Sequence, residues 1–247
     1  MRSSPAQTHR IVAIETSGQA GSVAVAQGPD CLAVRDLAGR RDHAVGLLPA
    51  IDALTRQVGW SPSDIDEIHV SAGPGSFTGL RVGITVARTL ALATGVRIVP
   101  VPTLAVLARS ALAVSPPPAH LAVILDAKRA QVYGAVFALG QDRYEPIVAP
   151  CVIEPDQLWA RVPRPLAVLG DGIIQHREAV DRANLQILPE TLWQARAEHV
   201  HALGHGLART GNYADPRTVV PFYLRRPEAE EKWEQRHPEP GPSHSTG

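Results

Sequence analysis

Apolar runs at residues 11–16 and 21–26, the second with partial alternation, read as buried strands, and 31–37 supplies a third. The turns between them are short, so the three are expected to pair antiparallel. Asp42 or His43 then opens a helix in which Ala44, Leu47, Leu48, Ile51, Leu54 and Val58 recur at helical spacing until Gly59 stops it. Pro49 removes one backbone donor and is expected to kink this helix near its first turns without ending it. Ser61, Pro62 and Asp64 have the order of a capped helical turn, and Ile68 and Val70 belong to a short strand. After a glycine turn comes a long apolar helix that Gly95 closes, a strand at 96–101, and a helix at 104–114 capped by Thr103. Three prolines at 116–118 then form a stiff linker.

Beyond the linker the order restarts. Strands at 121–125, 131–137 and 147–152 are followed by a helix at 156–161, a strand at 166–169, a turn at Gly170, Asp171 and Gly172, and another helix. Ile14-Glu15-Thr16 and Leu125-Asp126-Ala127 correspond, each an apolar strand ending in one acid and a small residue. The pattern predicts an internal duplication. A further helix at 196–210 carries Ala197, Val200, Leu203, Leu207 and Ala208 on one side, and a short ordered stretch follows at 222–225. Residues 1–9 are polar, and 227–247 are rich in Pro, Glu and His with little to bury, so both tails are expected to be disordered.

The stretch 71–81 joins a strand to a helix N-terminus through Gly73, Pro74 and Gly75. Ser76 or Thr78 can cap that helix, leaving amide donors at the positive end of its dipole where an anion could sit. It is not a phosphate-binding P-loop, because no Gly-Lys-Ser/Thr follows. Down the helix, Gly79, Gly83, Ala87 and Ala91 make a side-chain-poor stripe that another helix could approach closely, with Leu80, Ile84 and Leu90 beside it. The stripe serves either packing within the chain or a partner.

Composition narrows the function. With 247 residues and 45% hydrophobic content the chain can bury a sizeable core, and 24 basic against 24 acidic residues leave no net field to draw in nucleic acid. The two cysteines, Cys31 and Cys151, form no Cys-x-x-Cys pair and suit a reducing cytoplasm. The polar N-terminus resembles neither a signal peptide nor an anchor.

Certain letters go further than pattern. These are Ile-Val-Ala-Ile-Glu-Thr-Ser at 11–17, Gly-Ser-Val-Ala-Val at 21–25, His43 with Leu47-Leu48-Pro49 and Ile51, and Gly-Pro-Gly-Ser-Phe-Thr-Gly-Leu-Arg-Val-Gly at 73–83. Asp-Ala-Lys-Arg at 126–129, Val132-Tyr133 and Tyr-Leu-Arg at 223–225 complete the set. Together they resemble the TsaB (YeaZ) family of tRNA threonylcarbamoyladenosine biosynthesis proteins. The resemblance implies an α/β fold of two tandem ribonuclease-H-like lobes of the actin-like ATPase (ASKHA) group, each a mixed five-stranded sheet with flanking helices. The lobes are expected at 10–115, which binds the partner, and 119–226. It also implies a cytoplasmic, non-catalytic paralogue of TsaD, the enzyme that transfers threonylcarbamoyl to the adenosine beside the tRNA anticodon. TsaD is then the partner, the ATPase TsaE joins them, tRNA is met indirectly through the complex, and a homodimer forms when TsaD is absent.

The expected partner surface is His43, Leu47, Leu48, Ile51 and Leu54 on the first helix with Gly79, Gly83, Ala87, Leu90 and Ala91 on the second. TsaD carries two metal-binding histidines four residues apart, whereas here His43 is followed by Leu47, so neither a metal nor another cofactor is expected. Glu15, Thr16, Gly73, Gly75, Ser76 and Asp126 are candidates for a residual nucleotide or anion site. Alternatively Glu15 and Asp126 only cap amides at strand ends. A nucleotide-dependent kinase or acyl transferase would need a phosphate loop at 15–17, which lacks Asp-x-Gly, and a metallopeptidase would need a metal pair in the first lobe. His201 and His205 with Glu198 have metal-like spacing, but no glutamate follows His201, and the pair is expected to lie on a solvated face.

Overall fold

The structure is a computed structural model that describes residues 8–37, 40–160 and 162–225. In the first half, β1 (Arg10–Glu15), β2 (Gly21–Gln27) and β3 (Asp30–Leu37) form an antiparallel meander. β4 (Glu67–Gly73) and β5 (Arg97–Pro102) add to its other side in parallel, giving the order β3-β2-β1-β4-β5. The second half repeats this with β6 (His120–Asp126), β7 (Val132–Leu139), β8 (Tyr144–Ile153), β9 (Ala167–Leu169) and β10 (Gln186–Ile187), in the order β8-β7-β6-β9-β10. Antiparallel and parallel pairs fall at the same places in both sheets. The duplication and the two mixed five-stranded sheets of the ribonuclease-H-like group are therefore present. β10 has only two residues, too few to show a strand period, and the sequence pattern did not reveal it.

Two long helices cover one face of the first sheet: α1 (Arg40–Gln57), which runs through Pro49, and α2 (Phe77–Thr94), which ends at Gly95 in a left-handed cap. Val12, Ile14, Ile68 and Val70 point to these helices and pack with Leu47, Ile51, Leu54 and Ile84. The other face of the same strands carries Ala13 and Ala24, small enough for α7 (Ala197–Arg209) to lie close, and Val200 packs there with Val99 and Val101. Burial on both faces explains why β1 and β2 are apolar throughout. α3 (Thr103–Ser110) follows the first sheet in sequence but places Leu104 and Leu107 on the second, against Leu121, Val123 and Phe137. On the opposite face of that sheet, α4 (Pro155–Trp159) brings Leu158 and Trp159, α5 (Gly172–Gln175) Ile173 and α6 (Arg177–Arg182) Val180. Thus one helix from each half reaches across, α3 onto the second sheet and α7 onto the first, and the two helices touch.

Local details differ from expectation in three places. Thr103 does not cap α3; Pro102 holds that position, and the Thr103 hydroxyl accepts the Gly73 amide at 3.1 Å. Thr8 and His9 are ordered contacts rather than tail, since Gln27 donates to the Thr8 hydroxyl at 3.2 Å and His9 Nδ1 lies 2.7 Å from the Glu67 carboxylate. The expected disorder of 1–7 and 227–247 lies outside the described residues. Among the described residues no helix is long and apolar enough to cross a membrane.

His201 is the third correction. It faces inward, 1% exposed, because Gly204 on the next turn lets α7 press onto β4: a Cβ at Gly204 would sit 2.4 Å from His69 Nδ1. The His201 ring stacks on His69 at 5.8 Å, lies 6.0 Å from His205, and donates through Nε2 to the Pro29 carbonyl at 3.2 Å. Burial, followed by the nearby His69, His205 and Arg109, lowers its pKa from 6.5 to about 4. The unfolded chain therefore takes up this proton first. Stability is complete above about pH 6.5 and falls toward pH 4, at up to about 1.4 kcal/mol per unit. Urea melts at pH 7, 6 and 5 should show this slope, and His201→Gln should reduce it, leaving the part that His199 and His205 supply, since burial lowers their pKa values too. An unchanged slope in the variant would assign the proton elsewhere. Glu67 does not confuse this window. Burial opposes its ionisation, but bonds from His69, Tyr213 and His9 outweigh burial and hold it near 2, so its contribution is lost only below about pH 4.5.

Candidate partner-docking groove and interlobe turns

The glycine turn between β4 and α2 is pressed against the end of β1. Gly73 has φ +113°, and a Cβ there would lie 2.8 Å from the Phe222 carbonyl oxygen; one at Gly75 would lie 2.6 Å from that of Ser17. Two of its amides have partners inside the chain. Besides Gly73, the Ser76 amide donates to the Ser17 carbonyl at 2.7 Å, and the Ser76 hydroxyl caps α2 by accepting the Gly79 amide at 3.3 Å. Closing this turn is the role the structure shows for Gly73, Gly75 and Ser76.

The small-residue stripe faces the same way. A Cβ at Gly79 would meet the Thr16 carbonyl oxygen at 1.9 Å, and one at Gly83 would meet Thr16 Oγ1 at 2.4 Å. Thr16 completes the contact by donating its hydroxyl to the Gly79 carbonyl at 2.8 Å. Ala87 and Ala91 are buried in the core between helix and sheet. Gly79, Gly83, Ala87 and Ala91 therefore do not form a surface for a partner; they let α2 lie on its own sheet. Leu47, Ile51 and Leu54 are buried in the same core, with Leu90 packed on its margin, and His43 is enclosed between Gly21 and Gly79. Of the ten residues expected to meet a partner, Leu48 projects outward, 52% exposed.

The outward faces of α1 and α2 present a different set. Val45 is 77% exposed, Phe77 is exposed, and a groove of about 440 Å³ runs between the helices, lined by Ala44, Phe77, Thr78, Arg81, Val82 and Thr85. Arg81 lies over the Phe77 ring at 3.8 Å and donates to the Tyr223 hydroxyl at 3.2 Å, while the Phe77 and Tyr223 rings are 5.5 Å apart. Sequence reading missed Val45, Phe77, Arg81 and Thr85. For Val45 the signal is an apolar residue off the apolar period of α1; Phe77 keeps the period of Leu80 and Ile84, and Arg81 and Thr85 carry no apolar signal.

The two strand-end acids cap alike but titrate in opposite directions. Glu15, fully buried, accepts the Ser17 amide and hydroxyl at 2.5 Å each and the Ser71 hydroxyl. Burial raises its pKa more than the serine bonds lower it. Asp126 accepts the Lys128 amide at 2.9 Å and its ammonium at 2.7 Å. Burial opposes its ionisation, but the Lys128 contacts prevail and lower its pKa. Each carboxylate caps the amide two residues on. Gly170 has φ +113°, the same as Gly73, and a Cβ there would meet the Ile124 carbonyl oxygen at 2.1 Å. Backbone geometry thus preserves the duplication where the letters have diverged. Among the described residues, no three His, Cys, Asp or Glu side chains are grouped to hold a metal ion.

The comparisons with known proteins agree with this architecture. A family model described as TsaD, tRNA N6-adenosine threonylcarbamoyltransferase, matches residues 37–233. The tRNA threonylcarbamoyladenosine biosynthesis protein TsaB of Bacillus subtilis is 29% identical over 235 residues, covering 90% of this chain and 97% of that protein. The chain belongs to the TsaD family, on its TsaB (YeaZ) branch. Escherichia coli TsaB is 36% identical over 128 residues, 52% of this chain and 54% of that protein. The solved structure of YeaZ from Pseudomonas aeruginosa superposes with a TM-score of 0.74 at 27% identity, covering 87% of this chain and all of that one. Another Pseudomonas aeruginosa structure, an uncharacterized protein with similarity to peptidase YEAZ, gives a TM-score of 0.75 at 27% identity.

Proposed function

We propose that this chain is a non-catalytic partner of a TsaD-type transferase in threonylcarbamoylation of tRNA, docking through the outward faces of α1 and α2. The observation that carries the reading is the groove at Phe77, Arg81 and Thr85, flanked by exposed Val45 and Leu48, which puts apolar side chains beside a cleft on one face. Family membership supports a TsaD-type partner. The catalytic alternatives find less support. Asp126 is ion-paired with Lys128, Glu15 is enclosed by serines, and a buried leucine stands four residues after His43. On this reading the segment 10–115 carries the docking face, the same face pairs two copies of the chain when the transferase is absent, and a TsaE-type ATPase completes a cytoplasmic assembly that meets tRNA through the transferase.

The test is genetic and chemical. In a strain depleted of the chain, mass spectrometry of tRNA nucleosides should show loss of threonylcarbamoyladenosine, restored by the wild-type gene, and the tagged chain should co-purify with the transferase. Unchanged modification after depletion would reject the proposal.

A further inference from the structure

Asp-Ala-Lys-Arg at 126–129 and the Arg225 end of Tyr-Leu-Arg at 223–225 have no place in the docking reading, and the structure brings them together. After α7 the chain crosses back over the first half as a strap. Its Ala214 amide donates to the Ile98 carbonyl at 2.9 Å, and Arg88 of α2 donates to the carbonyls of Pro216 and Arg217 at 3.0 Å each. Val219 enters the first core, the Phe222 amide donates to the Ala72 carbonyl at 2.6 Å, and Arg81 holds the Tyr223 hydroxyl. The strap is therefore fastened to the first sheet and to α2 at successive points from Ala214 to Tyr223. Two residues later it changes lobe: the Arg225 guanidinium donates to the Ala127 carbonyl and to the Gln131 side-chain oxygen, at the two feet of the β6–β7 hairpin.

That hairpin is strained. Lys128, Arg129 and Ala130 have φ of 64°, 53° and 58°, three consecutive side-chain-bearing residues in the left-handed region. Such a run persists only where surrounding contacts over-determine it. The contacts here include the Ala127 amide to the Gln131 carbonyl at 3.0 Å, the Gln131 amide to the Lys128 carbonyl at 3.0 Å, Asp126 on the Lys128 amide, and Arg225 from the other lobe. Arg225 differs from the others in belonging to a segment anchored on the first sheet.

The geometry points to residues 222–225 as an interlobe latch: Arg225 holds the strained β6–β7 hairpin in place and thereby fixes the second lobe against the first. Tyr223 and the Phe222 amide anchor the latch, and Arg225 is its bolt. A bidentate guanidinium suits the task, because one planar group reaches a carbonyl and a side-chain amide oxygen at once, which an ammonium does less well. The inference is independent of partner docking and is tested on the isolated full-length chain.

Four variants, Arg225→Ala, Arg225→Lys, Gln131→Ala and the double variant Arg225→Ala with Gln131→Ala, are compared with wild type by hydrogen exchange and by the distance between two spin labels. One label sits on the exposed Cys31 of β3 and the other on Glu145→Cys of β8, in a Cys151→Ser background. Arg225→Ala should accelerate exchange at 127–132 at least tenfold and broaden the label distance, with exchange in β1 and β4 unchanged. Arg225→Lys should fall between, Gln131→Ala should reproduce part of the effect, and the double variant should add little to Arg225→Ala. The latch is refuted if folded Arg225→Ala and Gln131→Ala keep wild-type exchange and distance. It is equally refuted if exchange rises uniformly through both sheets, which would make Arg225 an ordinary stabilising contact.

Discussion

Ala87→Arg is expected to unfold the protein rather than to detach a partner. Ala87 is inaccessible to solvent in the core between α2 and the first sheet, in line with Gly79 and Gly83, whose approach to Thr16 leaves no room for a Cβ. An arginine there must bury an unpaired charge, costing several kcal/mol, and overpack the site by about 1–3 kcal/mol more. Typical domains have only about 5–15 kcal/mol to lose. Thermal melts with circular dichroism should show no cooperative transition for Ala87→Arg, while Thr85→Arg, exposed two residues away, should melt within a few degrees of wild type. A folded Ala87→Arg with a normal melt would return the small-residue stripe to the surface and overturn the packing described for α2.

Leu48→Arg should have the opposite profile. Leu48 is half exposed on the outward side of α1, so an arginine there keeps its charge in water and the melt should stay within about 2 °C of wild type. If the α1–α2 groove receives a TsaD-type partner, the same charge falls inside a desolvated contact. Association should then weaken about a hundredfold, roughly 2.7 kcal/mol, measured by calorimetry with the purified transferase. Complementation of the depleted strain should fail in parallel. Normal binding by folded Leu48→Arg would move docking away from this face.

These two substitutions lie on neighbouring helices and were indistinguishable before the structure, since both positions belonged to one expected interface. The sequence by itself determined the strand and helix order apart from β10, including the repeated pattern that became two sheets of identical strand order. It did so because strands buried on both faces are apolar throughout, and because Gly59, Gly95 and Gly211, all at positive φ, end helices through local backbone preference. It also marked Glu15 and Asp126 as strand-end carboxylates bonded to nearby amides, a contact only two residues long.

Long-range contacts could not be read this way. The stripe at Gly79 and Gly83 announces that something approaches α2 closely, but helical spacing is the same whether that neighbour is a partner's helix or the Thr16 backbone, 63 positions away in the chain. His201 looked solvated because polar residues on an amphipathic helix usually are; its burial depends on Gly204 allowing α7 onto His69 of β4. The crossing of α3 to the second sheet and the closure of Arg225 on Ala127 likewise join segments with no shared period. Local pattern specifies which face of an element is apolar, and only the tertiary arrangement decides what that face meets, because each sheet here is covered by helices that the chain supplies from both halves.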